Sequence, residues 1–400
     1  MKMMKKNTKR FRVKIFGLLA ACFLALNFVS CSNDPSDSPF VGDDKESTVL
    51  IYAVATNSLS SNLVSDKMEM LQAASNIDLS KNNVLIFETK YQTLSDGSRS
   101  SDINLIKLTK SNQGVGWEMV KDYNDGVDPL QPSRITEVIN YVIDNFDAKS
   151  RGLIFWSHST GSQPFVATRS SDTMAYSFGQ DKTTTLPIYE QINVDDLADA
   201  IPSGIFDFIW FDSCYMSNIE TAYEFRNKCN TYVGYATEVL ANGLPYDLVL
   251  PFIVGENPDL TLAAETFFNY YSKNIATIAV LDMTKIEDFA AECSVYLNEG
   301  LSPSSISLMD YSRDGIGPFY DLGDYVKSMA ELAEIELTDE EWDEILNRFV
   351  IYKAATTKNF SGITIDQSRY SGISTHLYKF NIDSLAESYY KSLDWFKEVF

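Results

Sequence analysis

The sequence predicts an α/β fold: a mostly parallel central sheet with helices on both faces, plus a smaller C-terminal α+β region. Three observations carry this. Apolar runs of strand length alternate with segments of helical period, the rhythm of consecutive βα units. The runs are continuously apolar rather than alternating, which marks strands covered on both faces. Two of them end in reactive side chains, Gly152-Leu-Ile-Phe-Trp-Ser-His158 and Phe206-Asp-Phe-Ile-Trp-Phe-Asp-Ser-Cys214. Parallel strands bring such ends to one rim, where ligands bind.

In chain order, residues 48–56 are apolar and rich in β-branched side chains, a buried strand. Residues 60–75 place Leu63, Met68, Leu71 and Ala74 at roughly helical spacing. A strand comes next over 83–90. Residues 103–123 alternate around Gly114 and Gly116, which suggests a hairpin at one sheet edge. Pro132-Ser133 opens a helix to about residue 146, with Ile135, Val138, Ile139 and Val142 on one face. The His158 strand, a long polar loop, a short helix near 194–200 and the Cys214 strand come after it. A helix then runs to about residue 227. Strands are expected over 231–236 and 276–282, with helices over 260–271 and 285–298. Past Gly300 the pattern loosens, with helical segments at 322–332, 339–352 and 385–399 and an extended one at 363–377. The expected organisation is a signal segment over 1–30, a tether over 31–47, a main domain over 48–300 and a C-terminal subdomain over 301–400.

Seven Lys and Arg and no acid fall within residues 2–14, and the stretch at 13–29 is otherwise almost wholly apolar, the build of a secretory signal rather than a spanning helix. It ends in Phe28-Val29-Ser30-Cys31, which resembles a bacterial lipobox, so Cys31 is expected to carry the lipid; an ordinary signal peptide with an incidental cysteine is the competing reading. The mature chain is then expected to be exported and lipid-anchored to a bacterial membrane, the outer one in the first instance. Loss of residues 1–30 takes the formal charge from −22 to −29, which disfavours nucleic acid and anionic head groups as partners. Of five cysteines, Cys22 leaves with the signal and Cys31 is expected to be acylated, which leaves Cys214, Cys229 and Cys293. Either Cys229 pairs with Cys293, or all three are reduced. No zinc-type spacing exists, and the chain has two histidines far apart, His158 and His376.

A Cys and a His on one rim form the minimal apparatus of a thiol nucleophile and its base. Cys214 is expected to precede a helix directly, at a dipole end that favours the thiolate. A different chemistry also reads from Ser157-His-Ser-Thr-Gly161, close to the G-x-S-x-G elbow of serine α/β-hydrolases, with Ser159 as nucleophile and His376 as base. The absence of a helical pattern right after Ser159 counts against it.

The two blocks, apolar run then His and apolar run then acid-small-Cys, resemble the caspase-like α/β/α sandwich shared by clostripain, gingipain, legumain and caspases. Asp212-Ser-Cys-Tyr-Met-Ser-Asn-Ile-Glu220 is similar to the clostripain-like family in particular. Ser177-Phe-Gly-Gln-Asp181 and Pro245-Tyr-Asp247 resemble elements of its exported Bacteroides-type lipoprotein members. The resemblance implies a cysteine endopeptidase acting on peptide or protein through an acyl-enzyme, with Cys214 as nucleophile and His158 as proton partner. It implies backbone N–H groups of Ser159 and Cys214 at the oxyanion, and Asp212, with Glu238 as a second candidate, recognising Arg or Lys at P1. Asp212 read on its own could equally cap the following helix. Some members are cut internally at a basic residue, which points to Arg169 or Lys182 in the long loop. No cofactor is expected; calcium accompanies clostripain itself, but no 12-residue acidic loop is present. The family places Gly after the histidine. Ser159 there restricts φ, which leaves an inactive descendant acting as a surface binding protein as the alternative function.

Overall fold

A computed structural model describes residues 45–93, 99–164, 177–181, 190–272, 276–301, 308–312, 317–359, 362–377 and 384–400. The expected signal, Cys31, the tether as far as residue 44 and the two candidate cleavage residues, Arg169 and Lys182, lie outside them. All described residues fall in one compact unit.

Its centre is a nine-stranded sheet in the order β12-β10-β9-β8-β5-β1-β2-β3-β4. Five strands run parallel in the middle: β9 (Cys229–Gly234), β8 (Phe206–Asp212), β5 (Ser150–Trp156), β1 (Ser47–Val54) and β2 (Asn82–Thr93). Every residue of β1 is buried. Its Leu50, Tyr52 and Val54 join one core cluster and its Val49, Ile51 and Ala53 the other, because successive side chains of a strand leave on opposite faces. The first face is covered by α2 (Pro132–Asn145), α3 (Val194–Asp199), α4 (Ile219–Glu224) and α7 (Ile286–Ser294); the second by α1 (Ser60–Ala73), α5 (Tyr246–Ile253) and α6 (Leu260–Tyr271). The mostly parallel α/β sandwich expected from the continuous apolar runs is the architecture that forms.

Both edges are antiparallel. β3 (Arg99–Ser111) and β4 (Gly114–Asp122) make the expected hairpin beyond β2. On the other side β10 (Thr277–Asp282) lies antiparallel to β9. Two helices, α5 and α6, connect them, so the chain re-enters the sheet from the opposite end. α5 was not expected; Pro251 inside it interrupts the helical reading of its sequence. Residues 301–400, expected as a smaller subdomain, share the main body instead. α8 (Leu322–Leu332) matches its expected span. α9 (Asp339–Phe349) stops earlier than expected, and β12 (Val350–Ala355) then adds to the sheet beside β10. The apolar side chains of α8, α9 and α11 (Asp394–Val399) pack into the first core. The extended segment at 363–377 contributes only β13 (Ser374–His376), paired with β11 (Phe319–Asp321). The helix expected at 385–399 is two helices, α10 (Ser384–Ser392) and α11.

Candidate active site

From β1 the chain builds β2 on one side, and β5 and β8 on the other. The carboxyl ends of β1 and β5 therefore flank the topological switch point, the place where open α/β sheets bind ligands. Ala53, Trp156 and Asp212 are in register across β1, β5 and β8. His158 and Cys214 each lie two residues past that level, on the loops of neighbouring parallel strands. Both are partly exposed.

The two loops are tied together. Ser159 Oγ donates to the Cys214 carbonyl. Gly161 adopts φ +61°, and a Cβ there would lie 2.7 Å from the Tyr215 carbonyl oxygen, so only glycine admits this approach. The His158 loop is also held from its far side by β6 (Phe178–Asp181). Gly179 N–H donates to the His158 carbonyl at 2.9 Å, and Thr160 N–H to the Ser177 carbonyl at 3.2 Å. In that bridge Ser159 pairs with Phe178 without exchanging hydrogen bonds, so its N–H points away from β6. Ser159 is not among the described non-glycine residues with positive φ, which are Tyr215 and Glu334. The side chain after the histidine is thus accommodated in an ordinary backbone conformation.

The surroundings of Cys214 differ from the expected ones. No helix begins directly after it. Tyr215 takes φ +60°, and the N–H groups of Tyr215 and Ser217 donate to the Thr237 and Tyr235 carbonyls at 3.0 and 2.9 Å. The chain thus runs extended beside the end of β9, and six-residue α4 starts only at Ile219, capped by Asn218. Cys214 sits at no helix dipole, and Asp212 caps no helix. The thiol lies 3.8 Å from the Val239 carbonyl oxygen, next to Glu238, which is buried at the same rim. Cys229 and Cys293 are unbridged and buried, and burial pushes both thiols upward. Among the three described cysteines only Cys214 is partly exposed.

Asp212 points the other way, into the second core. Its carboxylate accepts from Leu244 N–H and Tyr246 O–H, both at 3.1 Å, and from Tyr235 O–H at 3.4 Å. Gly243 (φ +57°) closes over it; a Cβ there would come within 2.6 Å of Asp212 Oδ2. Burial raises the Asp212 carboxyl to about 6 against these hydrogen bonds. Asp66 of α1 lies close by, accepting from Trp156 Nε1 at 2.8 Å. Burial and the nearness of Asp212 push it to about 9. Glu69, raised by burial, accepts Tyr246 N–H at 2.9 Å. No Lys or Arg pairs with any of the three among the described residues. Ser177-Phe-Gly-Gln-Asp181 thus braces the His158 loop, and Pro245-Tyr-Asp247 holds Asp212.

The sequence matches the Clostripain family over residues 51–398. The chain belongs to that family. It is similar to a secreted C11 cysteine protease from Bacteroides thetaiotaomicron, solved with an irreversible peptide inhibitor, at 25% identity and TM-score 0.71, covering 89% of this chain and 99% of the other. An inactive zymogen C11 protease from Parabacteroides distasonis aligns at 25% identity and TM-score 0.70, covering 90% and 99%. A further secreted C11 protease from Bacteroides thetaiotaomicron, iotapain, shares the fold at 22% identity and TM-score 0.72, covering 90% and 100%. Comparison with curated protein sequences gives no match. The protein is thus a clostripain-family cysteine peptidase. The serine-hydrolase reading falls with this. His376 is buried on β13 between the Phe319 and Tyr390 rings, no hydrogen bond joins it to Ser159, and the described residues after Ser159 form no helix. Among the described residues no three His, Cys, Asp or Glu side chains gather as a metal site requires.

The site also holds a residue that the sequence did not suggest. Ser58, four residues past β1, has its Oγ 2.8 Å from His158 Nε2. A serine in a loop carries no periodicity, and its partner is one hundred residues away.

Proposed function

We propose that the protein is an endopeptidase using Cys214 and His158 as its dyad, with preference for Arg or Lys at P1. The observation that carries this reading is the one partly exposed residue among the described cysteines, on a loop clamped to the histidine loop by Ser159 at the switch point. Cys214 Sγ attacks the scissile carbonyl carbon; the S–C bond forms as the carbonyl electrons move to oxygen, which takes hydrogen bonds from the N–H groups of Ser159 and Cys214. Collapse breaks the C–N bond, and the His158 proton passes to the leaving amine. Water then attacks the thioester and gives its proton to His158, and the C–S bond breaks to return the thiolate.

The basic preference is supported by the uncompensated acids behind the thiol. A guanidinium or ammonium reaching Asp212 gains a charge-assisted hydrogen bond in a dry setting; Asp66, pushed to about 9, is neutral at pH 7 and adds no opposing charge, and Glu238 lies at the rim. Asp212→Asn is expected to cut kcat/KM for basic-P1 peptides by about 10–100-fold, the size of one charge-assisted bond, and to leave neutral-P1 peptides nearly unchanged. Because the wild-type carboxyl is raised to about 6, it is neutral in part below that pH. KM for basic-P1 peptides should therefore fall as pH rises from 5 to 7, with no such trend in the Asn variant. A flat wild-type profile and equal loss on both peptide classes would remove Asp212 from recognition.

The protein is further proposed to be anchored through acylated Cys31 and to act outside the cytoplasm, on the lipobox-like Phe28-Val29-Ser30-Cys31. Cys31→Ser should abolish incorporation of radiolabelled palmitate and move the protein from the membrane to the soluble fraction. Unchanged labelling would reject this anchor.

A further inference from the structure

Resting on that dyad, we propose that Ser58 is the positioning residue for the His158 imidazole: its Oγ accepts the Nε2 proton, so Nδ1 is the nitrogen that exchanges a proton with Cys214. The backbone of His158 is fixed already by β6. The ring turns about two side-chain torsions, and the terminal one, between sp³ and sp² atoms, is broad and roughly two-fold. A ring that flips exchanges its two nitrogens. One hydrogen bond to Nε2 selects the rotamer, and with Ser58 Oγ as its acceptor it goes with the tautomer protonated at Nε2.

The carrier of Ser58 is built for fixed placement. Asn57 Nδ2 donates to the Val54 and Gln180 carbonyls, each at 2.9 Å, and its Oδ1 accepts Leu59 N–H at 2.9 Å. Ser157 Oγ donates to the Val54 carbonyl at 2.8 Å, and Thr56 Oγ1 to Asp181 at 2.7 Å. All these groups except Leu59 are buried. The end of β1, the end of β5 and β6 are thereby one hydrogen-bonded block, with Ser58 and His158 as its two outward-facing members. Ser58 itself is exposed, so nothing in the core depends on its hydroxyl.

The acceptor has a defined consequence. When the thiol is ionised and the imidazole carries both protons, Ser58 Oγ stabilises the Nε2–H of the cation. Without it the imidazolium loses its proton more readily and the thiolate loses its counter-charge. Ser58→Ala in the full-length protein is expected to lower kcat about 10-fold with KM unchanged, less than the 10²–10⁴-fold that the acid–base group itself contributes, because His158 stays in place. The bell-shaped pH profile of kcat/KM should narrow from both sides, and alkylation of Cys214 by iodoacetamide should shift to higher pH. Ser58→Thr, which keeps a hydroxyl, should restore both profiles. Unaltered profiles in the Ala variant would overturn the proposal, as would a Thr variant as impaired as Ala. If His158→Ala leaves the alkylation profile and turnover of the wild type intact, the dyad itself fails and the role of Ser58 with it.

Discussion

Cys214→Ala is expected to reduce hydrolysis of basic-P1 peptide reporters by at least about 10³-fold, the scale seen when a covalent nucleophile is removed. The expectation rests on exposure. Cys229 and Cys293 are buried with thiols held protonated by desolvation, and a neutral buried thiol is a poor nucleophile. The fold should tolerate the change, because Cys214 is half-buried in a turn and its sulfur approaches the Val239 carbonyl no closer than 3.8 Å. Thermal melting should stay within about 1 °C of wild type, as for a substitution worth a few tenths of a kcal/mol. An irreversible acyloxymethyl ketone with a basic P1 should label the wild type at Cys214 and leave the variant unlabelled. Undiminished turnover in the variant would end the assignment.

Glu220→Ala is expected to cost about 3 kcal/mol of stability, or more, through the C-terminal elements. Glu220 is fully buried at the start of α4. Its Oε1 accepts Thr375 Oγ1–H at 2.6 Å, and His376 N–H and Tyr390 O–H at 3.2 Å each. Removing it takes this acceptor from three buried donors of β13 and α10, and a buried donor left unpaired costs about 1–3 kcal/mol. Chemical denaturation would read the loss. A variant as stable as wild type would show that these donors find other partners.

The carboxyl also sets a pH dependence with a definite sign. Burial raises Glu220 from 4.5 to about 7, so between those two values the folded state binds more protons than the unfolded one. Its contribution is full at low pH and is lost as pH rises through 7. His376 in the same cluster is lowered by burial from 6.5 to about 4. Its contribution runs oppositely, growing between those values, which partly cancels the first at mildly acid pH. Comparison with Glu220→Gln isolates the acid. Gln keeps the accepting oxygen at the Oε1 position and loses only the 3.3 Å contact of Oε2 with His376 N–H. The Gln variant should therefore gain in Tm on wild type as pH goes from 5 to 8. A constant difference across that range would show that Glu220 titrates normally.

Much of the site was legible in the sequence. His158 and Cys214 stood out because buried parallel strands are written as uninterrupted apolar runs, and the residues just past such a run must emerge at the rim. The clamp between the two loops was not legible. Ser159 looked like a departure that would damage the backbone; with an ordinary φ it instead donates to the Cys214 carbonyl. The helix expected right after Cys214 failed for a related reason. Met216, Ile219, Ala222 and Tyr223 fit a helical stripe, but the amides of Tyr215 and Ser217 are claimed by carbonyls beyond β9, and tertiary pairing overrides local period.

The amino-acid order alone determined the central buried strands, most of the helices that cover them, and which two reactive groups leave the sheet at one end. Those properties come from local hydrophobic pattern, which each segment carries within itself. Tertiary structure decided the rest. β10 runs against β9 because two helices intervene, β12 joins the sheet edge beside β10, and Ser58 meets an imidazole from another strand. Direction, edge partners and hydrogen-bond mates are relations between distant segments, so no single stretch of chain holds them.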